Sequence, residues 1–171
     1  MAIDFDWLLD KYEKPIYNLI FRLVGDRDEA ADLTQETFVA AYGALSRFQG
    51  KSSEFTWLYR IAVNKCKNRF KEKERRRNCE VDALVDYDAL SVGRVASPEA
   101  LVGRQELVER IEQAISELPH DYRIVAVLRE LHGLSYEEIA RVADLTVDVV
   151  RTRIARARGM LRRKLEPYLV E

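Results

Sequence analysis

Ser135-Tyr136-Glu137-Glu138-Ile139-Ala140-Arg141-Val142-Ala143-Asp144-Leu145-Thr146 decides how this chain is read. Ser135 and Glu138 have the spacing of a capping box, in which each side chain satisfies the other residue's free backbone N–H. Ile139 and the small Ala140 suit a helix that a second helix crosses closely. Ala143-Asp144-Leu145 is a tight connection, and Thr146 can cap a following helix whose inner face is Val150, Ile154, Ala157, Leu161 and Leu165. The spacing predicts a helix-turn-helix, whose second helix enters the major groove by its N-terminal end. Asp148, Val149, Arg151, Thr152, Ala155 and Arg156 are left facing outward there. Arg can pair with guanine edges or phosphate, and Thr can bond a base or touch a thymine methyl. Arg153, Arg158, Arg162, Arg163 and Lys164 suit phosphate or solvent. A helical hairpin inside a bundle has the same apolar spacing. The capping box, the short turn and the arginine-rich second helix together favour DNA binding.

Working back from this motif, the rest of the chain also reads as helix. A helix is expected from about His120 to Leu131, closed by Gly133. Another opens at Ser97-Pro98-Glu99, with Pro at the first helical position, and carries the apolar stripe Leu101, Leu107, Val108, Ile111, Ile115 and Leu118 up to Pro119. Near the N-terminus, Phe5, Leu8, Leu9, Tyr12, Ile16, Leu19, Ile20 and Leu23 recur at helical spacing. Pro15 predicts a kink or break in that helix, and Gly25 can end it. Asp26 and Glu29 fit a capping box for a second helix through Ala30, Leu33, Thr37, Ala41 and Leu45 to about Phe48. Ser53 can cap a third, on which Leu58, Ile61, Ala62, Cys66 and Phe70 share a face. The fold class is all-α, with two small helical domains at residues 1–77 and 98–171 joined by a flexible acidic linker over 78–97.

Composition agrees. Gly and Pro together are 11 of 171 residues, about half the usual share, which with the lack of alternating apolar runs argues against a sandwich or barrel. The longest strictly apolar run, Ile124 to Leu128, is far short of the roughly 20 residues that span a bilayer. The acidic start Met1-Ala2-Ile3-Asp4-Phe5-Asp6 is unlike a signal peptide, so a cytoplasmic protein with no direct membrane insertion is expected. Cys66 and Cys79 offer neither a disulfide scaffold nor zinc spacing. The net charge of −1 hides a strong asymmetry: residues 59–77 carry +7 and residues 147–171 carry +4, between acidic stretches. Two basic helices suit two polyanion contacts, and paired solvated helix faces suit the same count equally well.

Four motifs, in this order and spacing, give the chain a family likeness. They are Asp32-Leu33-Thr34-Gln35-Glu36-Thr37-Phe38; Phe55-Thr56-Trp57-Leu58-Tyr59-Arg60-Ile61-Ala62-Val63-Asn64; Leu118-Pro119 with Leu128-Arg129-Glu130; and Gly133-Leu134-Ser135-Tyr136-Glu137-Glu138-Ile139-Ala140. From about Phe5 to Leu169 the chain resembles an extracytoplasmic function (ECF) sigma factor of the sigma-70 family, nearest the envelope-stress branch. The resemblance implies a first domain (sigma region 2) that docks on the β′ clamp of core RNA polymerase through Asp32, Gln35, Glu36 and an exposed Phe38. It implies that Phe48 to Trp57 help melt promoter DNA. Trp57, Tyr59, Arg60, Asn64, Lys65, Lys67 and Asn68 would contact the −10 element, although core packing suits Trp57 and Tyr59 equally. It further implies a second domain (sigma region 4), contacting the polymerase β flap, in which Arg151, Thr152, Arg153, Arg156 and Arg158 contact −35 DNA. The linker would thread toward the polymerase active-site cleft, and a plain tether fits it as well.

The departures from the family pattern are local. Asp144 stands where many members have Gly, and Asp tolerates a left-handed turn residue. Asp148 and Val149 stand where Gly and Thr are frequent, which bears on −35 affinity and sequence preference. The resemblance implies an alternative sigma factor, stress-responsive and restrained by an anti-sigma factor that can hold it at the membrane. It implies no cofactor, no metal and no catalytic residue. A stand-alone helix-turn-helix regulator is the alternative, but it leaves the basic helix of the first domain unexplained. A nuclease would need more than His120 and His132, which lack nearby Cys or a repeated acidic spacing.

Overall fold

The computed structural model describes residues 3–80 and 102–169, all of whose regular elements are helical. Residues 81–97 of the expected linker, Ser97-Pro98 and Leu101 lie outside the described residues. Helix α1 (Phe5–Val24) is capped by Asp4, whose carboxylate accepts from the Asp6 N–H, and ends at Gly25 in the left-handed conformation (φ 77°). Pro15 lies inside α1 and does not break it. The carbonyl it frees is that of Lys11, an exposed position where water can take the bond. Helix α2 (Arg27–Ala44) starts at Asp26, which accepts from the Glu29 N–H at 2.8 Å. The Glu29 side chain does not complete a capping box, because it reaches across to Lys73 at 2.6 Å and Arg69 at 3.5 Å.

After a 3-10 turn at Leu45–Arg47, Ser53 accepts from the Thr56 N–H and starts α3 (Glu54–Glu80). This helix continues over residues 78–80, which the loss of apolar period had assigned to the linker. Leu8, Ile16, Leu19, Leu33, Leu58, Ala62 and Cys66 are fully or almost fully buried where α1, α2 and α3 meet. Cys66 is core, as its place on the apolar face implies. Burial, with Glu29 nearby, pushes its thiol up to about 12, so the thiolate that oxidation requires is suppressed.

The second domain comprises α4 (Val102–Ser116), α5 (His120–Ala126) running into a π-helical turn (Val127–Leu131), α6 (Tyr136–Ala143) and α7 (Val147–Leu169). Ala114, Ile115 and Leu118 are buried, whereas Val108 and Ile111 are exposed at 49% and 36%, so the expected stripe of α4 is only half used. Gly133 closes the π turn with φ 68°. The Arg129 guanidinium, from the Leu128-Arg129-Glu130 motif, donates to the Leu134 carbonyl at 2.8 Å and lies 5.1 Å over the Tyr136 ring. That motif therefore fixes the entry to α6. The capping box at Ser135 and Glu138 is complete, with bonds of 3.2 and 2.8 Å. Asp144 adopts the left-handed conformation (φ 57°) as C-cap of α6, the position where glycine carries no steric cost.

The two domains pack on one another. Residues of α1, α2 and α3 share one buried apolar cluster with Ile124, Val125, Leu128, Leu134, Ile139 and Val142 of the second domain. Its main joint is α3 against α6, supported by α1 against α4 and the π turn. Polar contacts cross the joint as well. Arg123 donates to the Leu23 carbonyl at 2.7 Å, His120 stacks on Phe70 with ring centroids 3.7 Å apart, and Arg22 pairs with Glu112.

Candidate nucleic-acid and partner interfaces

The acidic face of α2 is built by helical period. Leu33, Thr34, Thr37 and Ala41 point into the core, which leaves Asp32, Gln35 and Glu36 outward beside Val39 and Ala40, with Lys65 of α3 closing a shallow groove. Arg69 donates to Glu36 at 3.4 Å, so this carboxylate is oriented from below. Phe38 differs from expectation. It is 5% exposed and sits edge-on to Phe5 at 6.5 Å, because it falls on the inward side of α2 with Thr34 and Ala41. The apolar groups this face does expose are Val39 and Tyr42, at 72% and 67%. Val39 falls three residues past Glu36 and Tyr42 seven past Gln35, spacings that place both on the outward stripe of α2.

At the start of α3, Trp57 is half-buried and packs on Phe48 of the preceding loop at 4.9 Å. Tyr59 is buried at 2% exposure, its ring tilted against Phe55 with centroids 4.1 Å apart and its hydroxyl 3.1 Å from His132 Nδ1. Burial, and then Tyr12, push its pKa up to about 12. In this arrangement Tyr59 is no platform for a base. Arg60, Asn64 and Asn68, spaced by four, form an exposed row along α3, and Lys65 and Lys67 flank it half-buried. Lys67 donates to the Ala143 carbonyl at 2.6 Å, and Arg60 lies 3.7 Å from the Asp144 carboxylate. Burial lowers the pKa of Lys67, an effect that Asp121 and Asp144 partly offset.

On α7 the expected DNA contacts divide into two groups. Arg151, Thr152 and Arg156 are exposed on the N-terminal half. Arg151 pairs with Asp148 at 3.0 Å, the Thr152 hydroxyl donates back to the Asp148 carbonyl at 3.0 Å, and Arg156 reaches the Tyr122 hydroxyl at 3.5 Å. Arg153 and Arg158 are held by their own domain: Arg153 lies 3.8 Å from Asp121, and Arg158 donates to Glu130 at 2.7 Å. The Glu130 bond raises the pKa of Arg158. Lys164 is likewise paired, with Glu117. Among the described residues, no three His, Cys, Asp or Glu side chains converge as metal ligands, and no helix is long and apolar enough to cross a membrane.

The comparisons with known proteins match both halves of this architecture. The family profile for Sigma-70 region 2 matches residues 8–76, and that for Sigma-70, region 4 matches residues 108–161. The chain is 42% identical to the RNA polymerase sigma-H factor of Pseudomonas aeruginosa, covering 98% of this chain and 89% of that protein. It is 41% identical to the ECF RNA polymerase sigma-E factor of Escherichia coli K12, covering 96% and 88%. Among solved structures, CnrH in complex with the cytosolic domain of CnrY is similar at TM-score 0.68 and 26% identity, over 95% of this chain and 88% of that one. The sigma factor RpoE of Bartonella quintana, crystallised with the anti-sigma factor NepR, shares the fold at TM-score 0.74 and 22% identity, over 95% and 97%. Motif order, two helical domains and full-length identity above two-fifths converge: the chain belongs to the extracytoplasmic function sigma factors of the sigma-70 family.

Proposed function

We propose that the chain directs core RNA polymerase to promoters by a division of labour between its exposed faces. Residues 1–80 form the unit that docks on polymerase and engages the −10 element, and residues 102–169 form the unit that reads −35 DNA. On α2, the exposed carboxylates Asp32 and Glu36 with Gln35, Val39 and Tyr42 make a partly apolar, acidic surface suited to a basic helix of the polymerase β′ clamp. On α3, the Arg60–Asn64–Asn68 row supplies amides that can read base edges and a cation for phosphate. Arg151, Thr152 and Arg156 carry −35 recognition, and Arg153 and Arg158 brace the domain. The protein acts in the cytoplasm, and its activity is restrained by an anti-sigma factor, as in the sigma–anti-sigma complexes it resembles.

The observation that carries this reading is the placement of Arg151, Thr152 and Arg156, exposed at the N-terminal half of the second helix of a capped helix-turn-helix, in a chain that also carries the region 2 fold. The test is binding of the purified chain to core RNA polymerase, followed by run-off transcription from a promoter library. Promoter-selective transcripts support the assignment. Duplex binding without polymerase binding would make the chain a stand-alone regulator.

A further inference from the structure

The ion pairs of α7 are of two kinds. Arg153, Arg158 and Lys164 reach Asp121, Glu130 and Glu117, none of which is on α7, so each ties α7 to its domain. Asp148 and Arg151 instead pair at 3.0 Å within the start of α7 itself, on its outward face, and hold no two elements together. The Asp148 side chain is 92% exposed, and an exposed pair three residues apart on one helix adds little to stability. What the pair does fix is where the guanidinium points. The bond takes Nη1 and leaves the Nε–Nη2 edge, whose two parallel donors match the O6 and N7 acceptors that guanine presents in the major groove. The neighbouring Thr152 hydroxyl does not compete as a donor, because it is committed to the Asp148 carbonyl at 3.0 Å. The carboxylate also stands in the first turn of α7, where a helix N-terminus otherwise attracts a phosphate.

We propose that Asp148 is a positioning residue for −35 recognition. Through its pair with Arg151 it presents that guanidinium to a guanine and withholds it from phosphate, so base preference rises and sequence-independent affinity falls. The proposal rests on the assignment of Arg151 to −35 DNA made above. It gives a use to a position where the chain departs from the glycine frequent in its family, since glycine would leave the guanidinium without this partner on its own helix. A free arginine side chain has to be ordered when it binds, whereas a held one is already placed. A free one also takes whichever anion is nearest, and on duplex DNA that is the phosphate backbone, which carries no sequence information.

The test uses the full chain assembled on core RNA polymerase, with promoters carrying all four base pairs at each −35 position transcribed in competition. Arg151→Ala first locates the base pair that Arg151 reads: preference for one guanine is expected to fall about 5- to 150-fold. No position-specific fall refutes the assignment of Arg151, and the proposal with it. Asp148→Ala is then expected to lower the preference at that same guanine about three- to tenfold and to leave the other −35 positions within about twofold. In an Arg151→Ala background it should lower that preference no further. With the Arg151 effect in place, the proposal alone is overturned by an unchanged preference in Asp148→Ala, by a loss spread evenly over all −35 positions, or by an equal loss when Arg151 is already alanine. A second measurement needs no transcription: binding of the full chain to a duplex of scrambled −35 sequence across a range of salt. Asp148→Ala should steepen the slope by about one, because Arg151 becomes free to neutralise a phosphate. An unaltered slope overturns the withholding of Arg151, and so does a steepening that persists when Arg151 is alanine, which belongs to the carboxylate's own charge.

Discussion

Arg123→Met removes the guanidinium that ties three backbone carbonyls of the two domains together. Arg123 donates to the Leu23 carbonyl at 2.7 Å, to the Leu118 carbonyl at 2.8 Å and to the Ser116 carbonyl. Leu23 lies at the end of α1 and Ser116 at the end of α4, so a cation meets the negative ends of two helix dipoles. A part-buried hydrogen bond to a charged group contributes about 1.5–3 kcal/mol, and the two best placed would together give about 3–5 kcal/mol. Burial of Nε without a partner already costs the native chain something, and methionine relieves that cost, which returns about 1–2 kcal/mol. Methionine also keeps most of the apolar stem, so packing loss is small. The expected net loss is about 2–3 kcal/mol, or a fall in melting temperature of about 5–10 °C for a chain of this size. Urea unfolding followed by circular dichroism measures it. Arg123→Lys should recover only part of the loss, since one ammonium cannot span three carbonyls. A change within about 0.5 kcal/mol for the Met variant would refute the argument that these bonds hold the joint.

Both histidines of the chain sit at the domain joint, and burial lowers the pKa of each. Arg22 adds to the lowering at His132, which also faces the Tyr59 hydroxyl. At His120, stacked on Phe70, Arg123 and Lys73 lower the value while Glu74 and Asp121 raise it. The packed chain thus binds fewer protons than the opened one. Its histidine-linked stability is fully present above the ordinary value of 6.5 and is lost as pH falls below it. Spin-label distances or urea midpoints between pH 7.5 and 5.5 should show the domains loosening in acid, with a shallower dependence in His132→Phe. Asp32→Ala with Gln35→Ala should weaken core-polymerase binding and leave −35 duplex affinity intact, and unchanged polymerase affinity would remove α2 from the docking surface. Arg151→Ala should cost about 1–3 kcal/mol at the preferred −35 sequence if the contact is bidentate, whereas Arg158→Ala should lower stability and leave base preference unchanged.

The helices were legible because their signals are local. Ser135 with Glu138, Gly25, Gly133 and Asp144 each act within a turn of where they stand, and each does in the structure what its residue type predicts. Pro15 was not so legible, because whether a proline breaks a helix depends on whether water reaches the freed carbonyl. Phe38, expected to be exposed, is buried, and Tyr59, open by sequence between display and core packing, is packed, both for a different reason. Both are aromatic residues next to polar motif positions, and only the tertiary partner decides whether such a ring is displayed or buried. Phe38 is taken up by Phe5 of α1, and Tyr59 by the second domain through His132. The half-used stripe of α4 has the same origin, since periodicity marks an apolar face and does not supply its cover. The family motifs located the faces of the candidate site. They could not separate the basic side chains that the domains keep for themselves from those free to meet DNA.

That separation bears on how strongly the chain holds DNA. The charge of +7 on residues 59–77 includes Arg69 and Lys73, whose salt bridges hold the acidic Glu29 and Glu36 of α2. On α7, Arg153, Arg158 and Lys164 answer Asp121, Glu130 and Glu117, and Arg151 is shared with Asp148. These are internal ion pairs of the folded chain. A phosphate could capture such a cation only by leaving a carboxylate behind in the same field. Counterion release counts neutralised phosphates, with a slope near −0.9 for each, so Arg156, Arg162 and Arg163, which form no ion pair among the described residues, joined by Arg151 when its pair opens, give about −3 to −4 for −35 duplex binding. Seven free cations would give about −6. A measured slope near the steeper value would mean that the internal pairs dissolve on contact with DNA, and the bracing assigned to Arg153 and Arg158 would fall with them. A slope near the shallower value fits a domain whose isolated affinity for duplex is modest, and whose promoter selectivity is realised only with polymerase holding both domains at once, since two weak linked contacts multiply when geometry allows both.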